Sequence, residues 1–226
     1  MKVSGCEPDS YESLFDLYVN LESSRRVCFH PRVARLLRLV FDAEPLAFQQ
    51  LLFQRSNGHA PHQDTAFVAV EEPCFMVATW IALEDIREGS GELAYYDGSH
   101  RLPDYAFKDG GKRFNANADD AAKYSADLVA ACEQRRMPYQ RLLAKKGDVF
   151  LWTADLVHLS HPRSLPEDTS RMACVTHYCP MTTEPFYFRF FPDHRTIETY
   201  EGLGSFASSY YRLPTRGRMV RPTRVP

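Results

Sequence analysis

The sequence predicts a mainly β domain, a sandwich or jelly roll with helices on its flanks. Three observations lead there. About eight short apolar or aromatic segments are separated by turn-forming residues, the rhythm of a jelly roll rather than of alternating β–α units. Helical periodicity is confined to the first forty or so positions and to a stretch between residues 118 and 135. The 226 residues are 44% hydrophobic and include 15 Phe, 12 Tyr and 2 Trp, enough core for one domain without a split. Residues 1–226 are therefore read as a single domain, with a core over about 31–191, a lid insertion over 101–141, and a C-terminal wrap with a basic tail over 192–226.

The elements follow in order. From Tyr11 to Leu21, Leu14, Phe15, Tyr18 and Leu21 recur at helical spacing behind Ser10, a residue suited to capping a helix start. From Pro31, Val33, Leu36, Leu37, Val40 and Phe41 form a second stripe, with Arg32, Arg35 and Arg38 opposite, so this helix should cover a sheet from outside. Leu46 to Arg55 reads as a strand, and Ser56-Asn57-Gly58 as a turn. The stretch around His62-Gln63-Asp64 reads as strand through Phe67-Val68-Ala69-Val70. Cys74 to Leu83 is continuously apolar, a strand buried on both faces. A Gly-rich turn leads into the Glu92–Tyr96 strand and the polar loop Asp97–Arg101.

Within 101–141, Ala118 to Arg135 is a helix with a sparse apolar face of Leu128, Val129 and Cys132. Strands follow at Val149–Thr153, Leu156–His161 (closed by Pro162), Met172–Tyr178 (bounded by Pro180) and Phe186–Phe191. Tyr200 to Tyr211 should wrap the surface. The open mouth of the barrel is then the default ligand site.

Composition excludes several function classes. No apolar run approaches the roughly 20 residues of a membrane helix, and Met1–Cys6 has no apolar signal region, so a cytoplasmic protein without membrane partners is expected. Six cysteines (Cys6, Cys28, Cys74, Cys132, Cys174 and Cys179) form no C-x-x-C pair, which argues for reduced thiols rather than a zinc knuckle or redox motif. The formal charge is -2, with Arg212, Arg216, Arg218, Arg221 and Arg224 gathered in the last fifteen residues on an otherwise acidic body. That body argues against nucleic-acid binding, and the tail reads as a Pro/Arg-rich strap.

The chemistry-bearing stretch is His62-Gln63-Asp64. On a strand, residues two apart face the same way, so the imidazole and carboxylate would project into one cavity. They are two-thirds of the 2-His-1-carboxylate triad that holds non-haem Fe(II) with open positions. Two histidines could complete it. His158 and His161 differ by three, so they face opposite sides of a strand, and spacing does not choose between them. Gln50 and Gln54 alternate on the preceding strand and could point inward as ligand contacts. His59 and His100 are less informative, His100 reading as a turn-fixing residue. His177 shares strand parity with Arg171 and could line the pocket, but a satisfied core histidine is the expectation.

One ordered set of motifs is more specific. Pro61-His62-Gln63-Asp64, Trp80-Ile81-Ala82-Leu83-Glu84-Asp85, Ser90-Gly91-Glu92-Leu93, Gly98-Ser99-His100, Gly147-Asp148, Val157-His158-Leu159-Ser160-His161-Pro162 and Arg171 occur in the order and near the spacing of one family. The sequence resembles the phytanoyl-CoA dioxygenase family of Fe(II)/2-oxoglutarate oxygenases over about residues 31–180. The resemblance implies a double-stranded β-helix, a cupin-like jelly-roll variant. It implies iron held by His62, Asp64 and His158. Ser160 and Arg171 occupy the family's positions for binding the far carboxylate of the co-substrate 2-oxoglutarate, a guanidinium fork matching a carboxylate as Lys cannot. The alternative for Arg171 is a surface ion pair with Glu167 or Asp168. Trp80 matches a Trp beside the co-substrate, and Gln54 is taken as a further co-substrate contact. O2 is the third reactant.

The family usually carries a further N-terminal segment before the equivalent of Leu21, which implies a short or truncated member. The presence of Asp64 disfavours halogenation. The activity implied is hydroxylation of an unactivated carbon in a small-molecule metabolite, giving succinate and CO2 from 2-oxoglutarate. The rivals are a catalytically silent jelly-roll binding protein, an acyl-CoA hydroxylase, or Mn or Zn in the same ligands. Tyr105, Phe107, Phe114 and Tyr124 would line an apolar pocket under the lid, and Lys112, Arg113, Arg135 and Arg136 could meet an anion but more naturally form solvated helix faces. A monomer or homodimer is expected.

Overall fold

The computed structural model describes residues 13–56, 58–68, 75–166, 169–190, 195–208, 210, 211 and 213. It is mainly β, and two sheets form the jelly roll. The larger comprises β1 (Ser13–Phe15), β2 (Pro45–Phe53), β4 (Val77–Ala82), β7 (Val149–Thr153), β9 (Ala173–Pro180), β10 (Glu198–Tyr200) and β11 (Gly204–Phe206). Its order is β10-β11-β2-β9-β4-β7, and β1 adds to the same edge of β2 as β11. The smaller sheet runs β3 (His59–His62), β8 (His158–Ser160), β5 (Leu93–Tyr96), β6 (Tyr139–Arg141). Non-consecutive strands pair throughout, as in a double-stranded β-helix.

Two helices back the larger sheet. In α2 (Pro31–Phe41) proline opens the first turn and the His30 side chain accepts the Arg32 amide. Val33, Ala34, Leu37 and Phe41 are buried. Val33, Leu37 and Phe41 pack with Phe29, Ala47, Val77 and Tyr178 into an apolar layer outside the sheet. The predicted stripe is one row too wide, since Leu36 and Val40 are 45% and 48% exposed. The shorter α1 (Glu22–Cys28) was not legible, because only Cys28 of its seven residues is buried and no stripe forms.

Several expectations are overturned. Tyr11–Leu21 is not a helix. Its described part is β1 and a 3-10 turn (Leu17–Val19), broken at Asp16, whose φ is 46°. Leu14 and Phe15 pair across to Leu52 and Leu51, so sheet contact overrides local periodicity. Phe186–Arg189 is a 3-10 turn rather than a last strand, with Tyr187 and Phe188 both packed into one cluster. The expected surface wrap holds the β10–β11 hairpin, and β11 runs parallel to β2. The strand drawn through residues 62–70 ends at His62; Asp64–Ala66 is a 3-10 turn, Phe67 and Val68 follow as turn and bend, and 69–70 lie outside the described residues. The fully exposed β6 was missed because it carries no apolar face.

β4 is buried at every position, as its apolar run requires. α3 (Ala121–Gln134), capped by the Asp120 side chain, buries Tyr124, Leu128 and Cys132, with Val129 only partly covered. Cys28, Cys132, Cys174 and Cys179 are buried free thiols; Cys6 and Cys74 lie outside the described residues, as does the arginine-rich tail. No described helix is long and apolar enough to cross a membrane.

Candidate metal centre

The centre is assembled by the register of β3 against β8. His62 lies directly opposite His158, and His59 opposite Ser160, with an irregularity between the two pairs. Cross-strand partners lie side by side, and the two imidazoles stand with ring centroids 4.3 Å apart. Asp64 reaches the same point from the 3-10 turn that follows β3. The turn is held by Val68 N donating to Asp64 O at 2.7 Å and Thr65 N donating to Ala154 O at 3.2 Å. Gln63 points away, its side chain donating to Asp155 O at 2.7 Å and its amide to the Tyr124 hydroxyl at 3.1 Å. Thus His62 and Asp64 converge because the chain turns after His62, and not through strand alternation.

The donor atoms of His62, Asp64 and His158 lie within 4.8 Å of one another. His62 Nε2 is 3.7 Å and His158 Nε2 3.6 Å from Asp64 Oδ1. Each imidazole holds its other nitrogen against a carbonyl: His62 Nδ1 at 2.8 Å from Ala60 O, His158 Nδ1 at 3.0 Å from Leu156 O. A carbonyl only accepts, so the Nδ1 atoms carry the protons and the Nε2 lone pairs point to the common centre. Burial, then neighbouring His158, pull the His62 pKa down to about 4. Burial works to raise that of Asp64, yet His158, His177 and His62 hold it well below the usual carboxylate range. At neutral pH the set is one carboxylate with His62 a neutral donor, which fits Fe(II).

The same cavity is lined by Arg171, 3% exposed. Its Nε donates to Gly91 O at 2.9 Å, and its guanidinium sits 5.6 Å from the Phe53 ring and 5.8 Å from Trp80. One terminal nitrogen, Nη1, has no hydrogen-bond partner among the described residues, and neither has the Trp80 indole nitrogen. Burial brings the Arg171 pKa down to about 10, against Glu92, which raises it. A buried cation with an unused donor has the chemistry to pair with an anion. Ser160 Oγ stands nearby, 2.9 Å from Ser56 Oγ and 3.1 Å from His59 Nδ1, and also lines the cavity. The Arg171 alternative partners, Glu167 and Asp168, lie outside the described residues.

The cavity holds about 380 Å³ between the sheets, mostly walled by apolar groups. β2 presents Gln49, Leu51 and Phe53 to it, so the parity expected of Gln50 and Gln54 is reversed. Gln50 faces the helices and donates to Cys28 Sγ at 2.7 Å. The Gln54 side chain is exposed; only its backbone oxygen serves the site, accepting Arg171 N at 2.9 Å. A register shift between Ala47 and Gln49 accompanies this face of β2, and nothing in the residue pattern signals it. Trp152 donates from Nε1 to Asp64 Oδ2 at 2.9 Å, and His177 lies 3.6 Å from that same oxygen. Both were missed as site residues. A buried Trp needs an acceptor for its N–H, and the parity of His177 with Arg171 was the available signal.

Other candidates lie elsewhere. His161 is outside the centre, 2.7 Å from the Tyr139 hydroxyl. His100 is exposed, and Ser99 ties that loop by accepting Val157 N at 2.8 Å. Of the aromatic residues expected under the lid, Tyr124 lines the cavity, while Tyr105, Phe107 and Phe114 pack around and behind it. Lys112, Arg113, Arg135 and Arg136 are not among the lining residues.

The profile of the family described as phytanoyl-CoA dioxygenase (PhyH) matches residues 16–172, well over half of the chain. No curated protein sequence matches it. Similar solved structures include the non-haem α-ketoglutarate-dependent carbocyclase SnoK from nogalamycin biosynthesis, with 18% identity, 76% of this chain and 65% of that one covered, and a TM-score of 0.62. The epimerase SnoN, in complex with Fe3+, α-ketoglutarate and nogalamycin RO, has 21% identity over 83% and 71%, with a TM-score of 0.61. EctD from S. alaskensis, with 2-oxoglutarate and 5-hydroxyectoine, has 19% identity over 77% and 58%, with a TM-score of 0.59. The chain spans less than two thirds of the length of SnoK and EctD.

Proposed function

The chain belongs to the phytanoyl-CoA dioxygenase (PhyH) family, and from that premise we propose that it is an Fe(II)/2-oxoglutarate-dependent dioxygenase that hydroxylates an unactivated carbon of a small-molecule metabolite. One observation carries the reading: a cluster of two imidazoles and a carboxylate shares a cavity with a buried guanidinium that has an unused donor. His62, Asp64 and His158 would hold the iron through Nε2, Oδ1 and Nε2. Bound there, iron supplies O2 activation coupled to oxidative decarboxylation of 2-oxoglutarate to succinate and CO2.

The chain's own residues supply orientation and exclusion of water. Arg171 Nη1 and the Ser160 hydroxyl would receive the co-substrate's far carboxylate in a buried, charge-assisted contact. Trp80 and Phe53 flank the guanidinium and keep solvent from it. The protons on His62 and His158 stay at Nδ1, donated to the Ala60 and Leu156 carbonyls, so both rings keep one orientation. Residues 101–141 serve as the lid, with Ala121, Tyr124 and Ser125 of α3 facing the cavity.

A small, largely apolar substrate is favoured over an acyl-CoA. Arg171 is the one Arg or Lys among the described cavity-lining residues, and the co-substrate engages it, which leaves none there for the phosphates of CoA. That the similar folds of SnoN and EctD carry nogalamycin RO and 5-hydroxyectoine agrees with an organic small-molecule substrate. Anaerobic addition of Fe(II) and 2-oxoglutarate should produce a visible charge-transfer band, and O2 should then give iron-dependent succinate. Asp64→Ala or His158→Ala should abolish both, and His161→Ala should not. Full retention by the first two overturns the ligand assignment, and no band in the unaltered protein favours a silent binding protein. A screen for compounds that stimulate 2-oxoglutarate turnover then finds the substrate.

A further inference from the structure

We infer that Ser56 is a positioning residue for the co-substrate's far carboxylate: it donates its hydroxyl proton to Ser160 Oγ and so leaves the Ser160 proton for that carboxylate. The inference rests on the reading of the site above and adds to it a residue that does not line the cavity. By residue type Ser56 belongs to a turn, yet here it is fully buried. Its Oγ lies 2.9 Å from Ser160 Oγ and accepts the Gly58 amide at 3.4 Å.

The direction of the Ser56–Ser160 hydrogen bond is set by what else each hydroxyl can reach. A hydroxyl has one proton and two lone pairs. Among the described residues, Ser160 Oγ is the one acceptor within hydrogen-bond distance of the Ser56 hydroxyl. Were Ser160 the donor, the Ser56 proton would be buried without a partner, and buried donors are seldom left so. Ser56 therefore donates, and Ser160 accepts and keeps its own proton. His59 Nδ1, 3.1 Å from Ser160 Oγ, competes for that proton only in the ring tautomer that leaves Nδ1 bare. A carboxylate is the stronger acceptor, since charge-assisted hydrogen bonds are roughly twice as strong as neutral ones. The cavity is the remaining direction, and Ser160 lines it.

The same short segment serves the second anchor. Just beyond β2, Gln54 O accepts Arg171 N at 2.9 Å. Ser56 packs on Gly91, where a Cβ would lie 2.6 Å from Ser56 O and 3.2 Å from Ser56 Cβ. Gly91 O in turn accepts Arg171 Nε at 2.9 Å. Residues 54–56 thus hold the backbone of Arg171 and the hydroxyl of Ser160, the two groups assigned to one carboxylate.

The test reads equilibrium binding, by anaerobic charge-transfer titration of the Fe(II)-loaded protein with 2-oxoglutarate and with 2-oxopentanoate, which ends in a methyl group instead of the far carboxylate. Ser56→Ala should weaken 2-oxoglutarate binding by about two- to tenfold, the share of one neutral hydrogen bond. It should leave the binding of 2-oxopentanoate and of Fe(II) as in the parent. Ser160→Ala should weaken 2-oxoglutarate binding by about tenfold or more, and the double variant should fall no further than Ser160→Ala alone. Unchanged 2-oxoglutarate affinity in Ser56→Ala overturns the inference. So does an equal loss for both acids, which marks general loosening, and so does a double variant in which the two losses add in full. Should Ser56→Ala fail to fold by circular dichroism, Ser56→Cys, whose thiol is a weak donor, takes its place. If the parent gives no band, or Ser160→Ala binds 2-oxoglutarate as the parent does, the co-substrate reading falls first and this inference with it.

Discussion

Arg171 shows how a single side chain acquires a role from burial. On the surface its guanidinium would be one more cation among many. At 3% exposure, beside Phe53 and Trp80 and with Nη1 lacking a hydrogen-bond partner among the described residues, it offers the cavity an unused donor. Arg171→Lys keeps the charge but loses the fork. A hydrogen bond to a charged group contributes about 1.5–3 kcal/mol, so the apparent affinity for 2-oxoglutarate should fall by about 10- to 100-fold, read as a rise in KM for that co-substrate at saturating iron. Gly91 acts on the same region through its backbone. It sits at φ 92°, and a Cβ there would lie 2.6 Å from the Ser56 carbonyl oxygen. Its own carbonyl accepts the Arg171 Nε. Gly91→Ala should cost about 1–2 kcal/mol from the left-handed backbone alone, and more once Ser56 is displaced. Denaturant unfolding measures the loss.

At the scale of elements, the strands were more legible than their ends and partners. β4 and β7 follow from unbroken apolar runs, and α2 from its stripe and its proline. The first segment misled because Leu14, Phe15, Tyr18 and Leu21 fit a helix, while pairing with β2 offered more than local spacing could report. Asp16 marks the break. Fully buried, its carboxylate accepts the Gln50 amide at 2.6 Å and the Ser208 hydroxyl, joining the N-terminal segment, β2 and the C-terminal segment. Burial raises its pKa to about 7 from 3.8, against hydrogen bonds from Ser208, Gln50 and Tyr18. A folded pKa above the unfolded one means the folded state binds the proton more tightly. The stability this contributes is fully present below pH 3.8, declines as pH rises to about 7, and is gone above it. Asp16→Asn should flatten that slope, which unfolding midpoints across the range would show.

At the scale of the whole molecule, the metal centre is a product of closure. His62 and Asp64 come from one side of β3's end, His158 from β8, Trp152 from β7 and His177 from β9, so both sheets must be in register before the ligands converge. Binding of Fe(II) or Mn(II) therefore couples to folding. A metal at 100 times its Kd should stabilise the protein by about 2.7 kcal/mol, seen as a raised Tm that a chelator reverses and His158→Ala abolishes. A metal that leaves the Tm unchanged would separate the cluster from the cation.

The sequence by itself determined the chemistry on offer and the β-rich frame: His62 and Asp64, the apolar strands, the α2 stripe, and, through the ordered motifs, His158, Ser160 and Arg171. These are local properties, written in residue type and in periods of two or 3.6. Only the tertiary structure decided which face of β2 meets the cavity, that Gln49 rather than Gln50 or Gln54 lines it, that Trp152 donates to the second oxygen of Asp64, and that the first segment is a strand. Those outcomes depend on the register between strands far apart in the chain, and a one-residue shift exchanges every side chain between the two faces of a sheet.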